Sequence, residues 1–532
     1  MNGGVRTRAR RLPILQRSIR YHRPRAPFCG VGYCTNCLVR TDRRLNIRAC
    51  REGFPEGVRP TSNAWPSPRY DLWGAFDYLF PRGIDTLHGF RRPTPAVPLY
   101  QRVVRRLAGY DSPERVVLPT TPPRPPRIRE ADVLIIGNGA SGAAAADELR
   151  ARGIDSLIVL DRDGGPADEP VWGRTTAVFL PPPSFGSPHP FRVLASEGSE
   201  RASLVFARRV VVATGGYDAS LLFPGNDRPG VMTADGAFSF AKAGFEPFRH
   251  AVVFGGGSRA LQVVESFDSH ISAVVAPGEI GPDLARVAAD RRIPLYPRSL
   301  VLDAKGRSGV RSIRIRGRSF GPRQTLAADA LVLAHRRIPH PQLFFQAGVR
   351  MVWRPRLGAY APAVDGHGAT TVPGLFAVGS AAGAPDADAS RTSGRAAARA
   401  IAEGAEPGGD VTPDVLSEPF HEMQAYYREL LAEPQGLGKW IACPCEDVLL
   451  RELREANEAG YRGIEEIKRY TGLGTGLCQG RYCLPDALLV LSIWEGRPPP
   501  EVGYITQRPP VVPTPLGLLA TLEPALPSSE PP

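Results

Sequence analysis

The central part of the chain alternates short apolar runs with helix-like stretches, and this pattern predicts strands that alternate with helices. Residues 131–163 read ADVLIIGNGASGAAAADELRARGIDSLIVLDRD, which indicates a strand, a glycine turn, an Ala-rich helix and a second strand ending at Asp161. Two later apolar runs, RRVVVATGGYD and TVPGLFAVGSAAG, predict buried strands that end at Ala213 and Gly379. Such alternation is typical of α/β folds.

The first glycine turn has the composition of a dinucleotide-binding loop. Gly137, Gly139 and Gly142 follow the strand and open the helix. They allow a tight turn, close approach of the backbone to a pyrophosphate, and packing of helix on strand, while the helix N-terminus faces the negative charge. Asp161 ends the second strand, where its carboxylate can accept from ribose hydroxyls. We therefore predict an adenosine-nucleotide site, with a purely structural turn as the alternative.

A second glycine turn lies in AVVFGGGSRALQVVESF, residues 251–267, with Gly255, Gly257 and Ala260 in GxGxxA spacing after a strand. The next strand, ISAVVAPG, ends in Ala276 and Pro277, with neither an acid for NAD nor an arginine for NADP. Two interpretations stay open, a working nicotinamide site and a retained scaffold.

Near the C-terminus, residues 446–472 read EDVLLRELREANEAGYRGIEEIKRYTG, and their apolar positions recur at helical spacing with Gly460 as a break. This pattern predicts two short helices that bring the flanking cysteines together. The apolar positions are Val448, Leu449, Leu453, Ile464 and Ile467, and the cysteines are spaced Cys443-x-Cys445-x32-Cys478-x4-Cys483.

A first set of four cysteines lies near the N-terminus, in PFCGVGYCTNCLVRTDRRLNIRAC. The first three cysteines have the spacing of a plant-type ferredoxin. In such a protein one tight loop and a distal cysteine bind a 2Fe–2S cluster. Gly30 and Gly32 suit such a loop, since a backbone that curls around a cluster needs positive φ. A zinc site with four thiolate ligands and a pair of disulfides are the alternatives. The spacing is Cys29-x4-Cys34-x2-Cys37-x12-Cys50.

Composition changes this picture little. A chain of 532 residues predicts three or four modules, and its eight cysteines form the two sets with none left over. The net charge of +13 comes from arginines spread along the chain, with only four lysines, so we do not expect nucleic-acid binding. No apolar run reaches membrane-spanning length, and the basic N-terminus lacks the apolar core of a secretion signal. The cytoplasm is the expected location, where thiols bind metal or do redox chemistry.

Four long segments resemble the α subunits of the heteromeric amine dehydrogenases, a family that includes hydrogen cyanide synthase, opine oxidases, dye-linked proline dehydrogenases and heterotetrameric sarcosine oxidase. The C-terminal cysteine set resembles the 2Fe–2S domain of bacterioferritin-associated ferredoxin, with zinc as a rival. The segments are RSIRYHRPRAPFCGVGYCTNC, SNAWPSPRYDL from Ser62, ATGGYDASLLFPGNDRPGVM from Ala213, and YRGIEEIKRYTGLGTGLCQGRYC from Tyr461.

The resemblance implies an α/β fold, with a tandem dinucleotide-binding core of the two-domain flavoprotein disulfide-reductase kind. A truncated N-terminal β-grasp ferredoxin-like domain and a small helical C-terminal 2Fe–2S domain flank that core. The expected ranges are 1–95 for the ferredoxin-like domain, 96–129 for a linker, 130–245 with 351–405 for the FAD domain, 246–350 for the second dinucleotide domain, 406–440 for a linker, 441–500 for the C-terminal domain, and 501–532 for a Pro-rich tail.

The resemblance also implies cofactors: two 2Fe–2S clusters, FAD or another adenine nucleotide such as NAD or ATP in the first glycine site, and an FMN at a subunit interface. Thr214 and Gly215 match the family's Ala-Thr-Gly strand, and Gly379 matches its Gly-Asp motif at the flavin ribityl chain. Ser380 stands where that motif has aspartate, so we expect an altered ribityl contact.

Three departures from the family are expected to matter. Only 28 residues precede Cys29, so much of the first β-grasp hairpin is expected to be missing. The interval from Asp161 to Ala213 is short for a flavin-enclosing domain. After PTPLGLLATLEP there is no folate-binding aminomethyltransferase region of the kind that ends the sarcosine oxidase α subunit.

In that family a separate FAD subunit, related to glycine and D-amino-acid oxidases, oxidises the amine and the α subunit passes electrons on. The sequence agrees, since it shows no Ser/His/Asp arrangement and no carboxylate pair, and no catalytic residue is predicted. HRRIPH, residues 335–340, follows a strand-like run over 328–334 and is interpreted as a solvated basic turn. A stand-alone NAD(P)H-dependent reductase and a non-enzymatic iron–sulfur sensor or scaffold are the alternatives. The amine substrate and the electron acceptor stay undetermined.

Overall fold

The computed structural model describes residues 10–18, 20–40, 47–51, 64–75, 122–164, 171–404, 422–434 and 439–522. Much of the predicted linkers 96–129 and 406–440, part of the resemblance segment from Ser62, and the tail from 523 lie outside these residues. The chain forms two compact units, each made of three stretches: unit 1 is Met1–Leu118, Asp218–Arg336 and Glu422–Ile505, and unit 2 is Pro119–Tyr217, Arg337–His421 and Thr506–Pro532. The predicted domain boundaries stay predictions.

The strands are numbered along the described chain. They are β1 Arg10–Arg11, β2 Gln16–Arg17, β3 Pro24–Arg25, β4 Leu38–Val39, β5 Ile47–Arg48, β6 Arg127–Ile136, β7 Leu157–Leu160, β8 Val171–Trp172, β9 Thr175–Phe179, β10 Phe191–Glu197, β11 Arg201–Val212, β12 Gly216–Asp218, β13 Val231–Thr233, β14 Phe245–Glu246, β15 Ala251–Phe254, β16 Ile271–Val275, β17 Leu295–Tyr296, β18 Ser299–Lys305, β19 Ser312–Gly317, β20 Arg323–Ala327, β21 Ala330–Leu333, β22 Arg337–Pro339, β23 Met351–Arg354, β24 Ala359–Pro362, β25 Leu375–Ala377, β26 Ile441–Cys443 and β27 Val448–Leu449.

The α-helices are numbered in the same way. Among the described residues, no helix combines the length and the apolar composition needed to cross a bilayer. The helices are α1 Ala140–Ala151, α2 Ala234–Lys242, α3 Ser258–Phe267, α4 Pro282–Asp290, α5 Gln342–Gln346, α6 Ala387–Ala402, α7 Glu422–Leu431, α8 Leu450–Glu458, α9 Ile464–Thr471, α10 Leu484–Glu495, α11 Pro499–Val502 and α12 Leu516–Ala520.

Unit 2 is built on a seven-stranded sheet in the order β8-β7-β6-β11-β10-β9, with β25 beside β11. The central strand β6 pairs in parallel with β7 and β11, and its apolar side chains are buried on both faces, as in doubly covered sheets. Val133 and Ile135 pack with Leu149 of α1 and Ala397 of α6, while Leu134 lies in the core on the other face. The strand positions that the apolar runs predicted are therefore confirmed.

Unit 1 contains a five-stranded parallel sheet in the order β13-β21-β15-β16-β17, with a separate antiparallel sheet β18-β19-β20. Helices α2, α3 and α4 contribute Phe240, Val263, Val264 and Leu284 to the core of the parallel sheet. The predicted strand–turn–helix–strand unit around the second glycine turn is confirmed as β15, α3 and β16.

The C-terminal part of unit 1 contains the two predicted short helices, α8 and α9, but one detail of that prediction is wrong. Val448 and Leu449 form β27, which pairs with β26. The backbone at Leu449 is extended, and α8 begins one residue later, at Leu450. Helix α10 was not predicted, and its residues Leu484–Ser492 are buried all round. A helix buried on every side shows no amphipathic period to detect.

The interpretation of residues 335–340 as a solvated basic turn is also wrong. Arg337–Pro339 form the strand β22, which pairs with β12. Arg336 is buried and forms an ion pair with the buried carboxylate of Asp486, at the start of α10. A buried charge persists when it is paired, and its partner here lies 150 residues away.

Candidate functional site

The first cysteine set is a loop between β3 and β4, closed by Cys50 just after β5. Cys29, Cys34 and Cys37 are buried and Cys50 is partly buried. Gly30 and Gly32 have φ of 65° and 80°, the left-handed conformation that the sequence predicted for a loop wrapped around a ligand. A Cβ added to Gly30 would lie 2.7 Å from the side chain of Ser239, so the loop also packs closely on α2.

The sulfur atoms of this first set contact one another. The Sγ atoms of Cys37 and Cys50 are 3.3 Å apart, and the backbone N–H of Cys34 donates to Cys29 Sγ over 3.4 Å. Burial opposes ionisation of Cys29. Hydrogen bonds from the thiols of Cys34 and Cys50 and from the N–H groups of Cys34 and Val31 outweigh that effect, and they lower the pKa of Cys29. Donors directed at sulfur are what a thiolate ligand needs.

The second set is assembled from two loops. Cys443 ends β26 and Cys445 follows it, while Cys478 and Cys483 enclose the turn before α10, and all four are buried. The thiol of Cys445 contacts Cys478, and that of Cys443 contacts Cys483.

Cys478 is the thiol of this second set that is best placed to be ionised. A hydrogen bond from Cys445 lowers the pKa of Cys478 to about 6, against the effect of burial. The backbone N–H groups of Tyr482 and Gly480 and the nearby Arg481 act in the same direction. A thiolate with backbone donors directed at it is suited to binding metal.

Each set brings four thiols together, and four thiolates are the donor set of both a 2Fe–2S cluster and a zinc site. In the part of the chain that the structure describes, no three side chains of metal-binding types surround one point. The ligand roles of the eight cysteines stay predictions.

The two sets lie close together inside unit 1. The Cys34 and Cys445 thiols are near enough to interact electrostatically. The ring of Phe28, which precedes Cys29, packs edge-on against Tyr482, with 5.3 Å between ring centroids. A small cavity of about 20 Å³, enough for one water, is lined by residues that adjoin both sets, among them Asn36 and Pro444.

A buried ionic cluster holds the two cysteine loops in place. Arg25, immediately before the first loop, pairs with Asp447 beside the second loop and lies 3.2 Å from Asp227. Asp227 also accepts from Arg23 over 2.7 Å. Burial opposes ionisation of Asp227, but Arg23 and Arg25 outweigh it and keep the pKa of that carboxyl below its ordinary value. These residues were not predicted from the sequence, since nothing in the local sequence joins positions so far apart.

The first glycine turn, in unit 2, has the geometry of a nucleotide site. A Cβ added to Gly137 would lie 2.4 Å from the carbonyl oxygen of Ala213, and one added to Gly142 would lie 1.9 Å from that of Gly137. A Cβ on Gly139, the N-cap of α1, would meet nothing within 4 Å. Two glycines are thus required by packing, and the third leaves open space at a helix N-terminus, where a pyrophosphate fits.

The other predicted residues of this site surround the same turn. Asp161 accepts the N–H groups of Asn138 and Asp163, each over 2.8 Å, which directs its carboxylate toward the turn. The Oγ1 of Thr214 is buried and finds no hydrogen-bond partner among the described residues.

The predicted Gly-Asp region of unit 2 meets α1 directly. Gly379 has φ of 65°, and a Cβ there would lie 2.4 Å from the hydroxyl of Ser141 in α1. Ser380 directs its hydroxyl to the carbonyl of Ala384, so it is engaged within its own turn. The donors and the open space around the turn fit an adenine dinucleotide, and the roles of these residues stay predictions.

The second glycine turn, in unit 1, has the same plan. A Cβ added to Gly255 would lie 2.3 Å from the carbonyl oxygen of Ala334, whereas a Cβ added to Gly257 would meet nothing within 4 Å. Ala260 is fully buried at the third position. Arg259, in the first turn of α3, pairs with Asp218 at 2.9 Å and with Asp235 at 2.5 Å, so its charge is already compensated by protein carboxylates.

Comparison with known proteins agrees with this geometry. The 2Fe-2S iron-sulfur cluster binding domain matches residues 7–63, pyridine nucleotide-disulphide oxidoreductase matches 191–404, and the sarcosine oxidase A3 domain matches 439–522. The chain thus has the pyridine nucleotide-disulphide oxidoreductase fold with an added N-terminal 2Fe-2S domain.

Two curated relatives support the resemblance to a family. The alpha chain of sarcosine oxidase from Rhizobium meliloti (strain 1021) is 28% identical over 95% of this chain and 54% of its own length. The A-type chain of opine oxidase from Agrobacterium tumefaciens (strain Ach5) is 28% identical over 60% of this chain and 71% of its own. The chain resembles this sarcosine oxidase alpha and opine oxidase family, with an N-terminal 2Fe-2S domain and a C-terminal A3 domain, so the predicted resemblance is confirmed.

A solved structure adds evidence on the fold. L-proline dehydrogenase from P. horikoshii aligns with a TM-score of 0.55 and 22% identity, over 74% of this chain and 80% of its own. That similarity concerns the fold alone. The present chain spans about half the length of the sarcosine oxidase relative, so shared architecture does not transfer the activity of the whole relative.

Proposed function

We propose that this chain is the electron-transfer subunit of a flavin and iron–sulfur amine or imino-acid dehydrogenase or oxidase, acting on substrates of the sarcosine, proline, glycine or opine type. The observation that carries the proposal is the packing of eight cysteines, seven of them buried, as two neighbouring sets within unit 1. Iron–sulfur groups in such sites supply one-electron chemistry. The relatives from sarcosine oxidase and opine oxidase are each named as one subunit of their enzyme, which supports an assembly with partner subunits.

Each group of residues has its own role in this proposal. Cys29, Cys34, Cys37 and Cys50 hold one group and the second set holds another, with backbone N–H groups stabilising the thiolates. In unit 2, Gly139 and the N-terminus of α1 bind a pyrophosphate, and Asp161 binds the adjoining ribose. A flavin in that place supplies the exchange between two-electron and one-electron chemistry. The amine is oxidised in a partner subunit related to glycine and D-amino-acid oxidases.

The division of labour can be tested by dye reduction with and without the partner. Expressed alone, the chain should not oxidise sarcosine, proline, glycine or an opine, and it should support dye reduction once combined with the FAD-bearing subunit. Cys478→Ser should then slow dye reduction while substrate still bleaches the partner's flavin, because the change affects electron transfer and not amine oxidation. Substrate turnover by the isolated chain would contradict the proposal.

Metal content tests the cysteine assignment independently of activity. Anaerobic purification should give about four irons and four acid-labile sulfides per chain, since two clusters of two irons use eight thiolates. A set that holds zinc and no sulfide would not be a cluster site. Cys34→Ser and Cys478→Ser serve as matched variants, each expected to remove about half of the sulfide.

A second candidate is a stand-alone NAD(P)H-dependent reductase. The observation that favours it is the open space beside Gly257 at the start of α3, which matches the space beside Gly139. NADH or NADPH added anaerobically to the purified chain should then bleach its visible absorption within seconds. Absence of bleaching, with flavin and iron present, would remove this candidate.

A further inference from the structure

Tyr482 forms a hydrogen bond to a sulfur atom of each cysteine set. Its backbone N–H donates to Cys478 of the second set, and its phenol is hydrogen-bonded to the sulfur of Cys29 in the first set. It also directly precedes Cys483, a third thiol in this arrangement. Tyr482 and these three cysteines all belong to unit 1.

The orientation of Tyr482 is held from several sides. The residue is 2% exposed, and its ring meets Phe28 edge-on, with 5.3 Å between centroids and an interplanar angle of 85°. Its carbonyl oxygen accepts from the hydroxyl of Ser220. The phenol therefore reaches Cys29 from a fixed position, and it does not sample a range of solvent-exposed rotamers.

A hydrogen bond to a ligand sulfur has a defined electrostatic effect. Reduction adds negative charge to an iron–sulfur group, and the charge is shared by its sulfurs, so a donor directed at sulfur stabilises the reduced form and raises the reduction potential. The phenol of Tyr482 supplies such a donor to the first cysteine set. Tyr482 itself lies in the turn between Cys478 and Cys483 of the second set.

We propose that Tyr482 is the positioning residue that couples the two cysteine sets: it raises the reduction potential at the Cys29 set and provides a direct covalent and hydrogen-bonded connection between the two. The coupling part rests on the proposed function, because it requires iron at both sets. One electron moves between the sets, so that one is oxidised and the other reduced, and no bond forms or breaks. The reductant that supplies the electron is a reduced flavin.

The test compares Tyr482→Phe with Tyr21→Phe in the full chain purified anaerobically. Tyr482→Phe keeps the ring and removes the hydroxyl that reaches Cys29. Tyr21 is a fully buried tyrosine of the same unit, and its hydroxyl has no hydrogen-bond partner among the described residues, so Tyr21→Phe controls for loss of a buried hydroxyl. Iron and sulfide content is measured first, to show that each variant assembles its sites.

The main readout is a redox titration followed by electron paramagnetic resonance, with the signal of the first set assigned in Cys478→Ser. Tyr482→Phe should lower the ratio of reduced to oxidised first-set signal at a given potential about tenfold, which is about 59 mV for a one-electron couple. Tyr21→Phe should leave that ratio unchanged. An unchanged midpoint in Tyr482→Phe with full iron content would overturn the inference.

The coupling has its own readout. After rapid reduction of the chain, an electron should pass from one set to the other more slowly in Tyr482→Leu, which removes the ring, than in the native chain. If both signals are present and Tyr482→Leu leaves the rate of electron transfer between the sets unchanged, the coupling is wrong while the proposed function stands. If the second set holds zinc, the two-cluster function fails, and the potential of the first set still tests the hydrogen bond to Cys29.

Discussion

The glycine turn at Gly137 in unit 2 and the glycine turn at Gly255 in unit 1 have nearly the same local construction. Each follows a buried parallel strand, and each makes its middle glycine, Gly139 or Gly257, the N-cap of the next helix. A side chain on either middle glycine would meet open space. The backbone geometry alone does not distinguish the two.

The difference lies in what surrounds each turn. At the first turn Asp161 places a carboxylate beside the loop, held by two backbone N–H groups. At the second, the strand ends in Ala276 and Pro277, and the cation in the first turn of the helix, Arg259, is paired with Asp218 and Asp235. Glycines therefore create the space for a pyrophosphate. The end of the strand that follows the helix supplies the group that recognises the rest of a nucleotide.

The largest expected effect concerns the third position of each turn. Gly142→Ala would place a Cβ 1.9 Å from the carbonyl oxygen of Gly137, and two backbone segments would have to separate. We expect the free energy of unfolding to fall by about 3 kcal/mol, measured by urea denaturation. A loss below about 1 kcal/mol would show that the first turn accommodates alanine at its third position, as the second turn does with Ala260.

The next effect compares the two middle glycines directly. Gly139→Val and Gly257→Val are matched changes, because neither position has positive φ and neither added side chain meets protein atoms at Cβ. Gly139→Val should weaken FAD or ATP binding on the order of 100-fold, about 2.7 kcal/mol, and Gly257→Val less than about threefold. Calorimetric titration measures both. Equal losses would mean that the second turn is also a nucleotide site.

A smaller effect is expected from the carboxylate that separates the two turns. Asp161→Asn keeps the shape of the side chain and removes its charge, so the ribose contact weakens and nucleotide affinity should fall about tenfold. Asp163→Asn, two residues on and exposed, is the control and should change affinity little. If both variants bind nucleotide like the native chain, Asp161 has only a structural role in holding the turn.

The smallest effect belongs to the third position of the second turn. Ala260→Gly restores glycine where the first turn has Gly142, and it should cost roughly 1 kcal/mol, because glycine is less favourable than alanine within a helix. Nucleotide binding should not improve. A gain in NADH or NADPH affinity, measured by fluorescence titration, would instead indicate that Ala260 blocks a second site.

Local rules account for the parts of the fold that the sequence predicted. The strand before Gly137 and the helix after it follow from an apolar run and an Ala-rich stretch, and both lie where expected. The same rules misplaced Val448 and Leu449, since two adjacent apolar residues suit a short strand as well as a helix. They also predicted that Arg336 is exposed to solvent. The arginine is buried instead, because it pairs with a carboxylate that is distant in the sequence.

By itself, the sequence determined the two glycine turns, the two sets of four cysteines and the resemblance to a family, because these depend on residue type and on spacing within a few tens of residues. Only the tertiary structure decided that the cysteine sets are neighbours, that Arg25 and Asp447 hold their loops together, and that Tyr482 reaches Cys29. Those contacts join segments from opposite ends of the chain. Their formation depends on how separate stretches pack into one unit, which no local periodicity records.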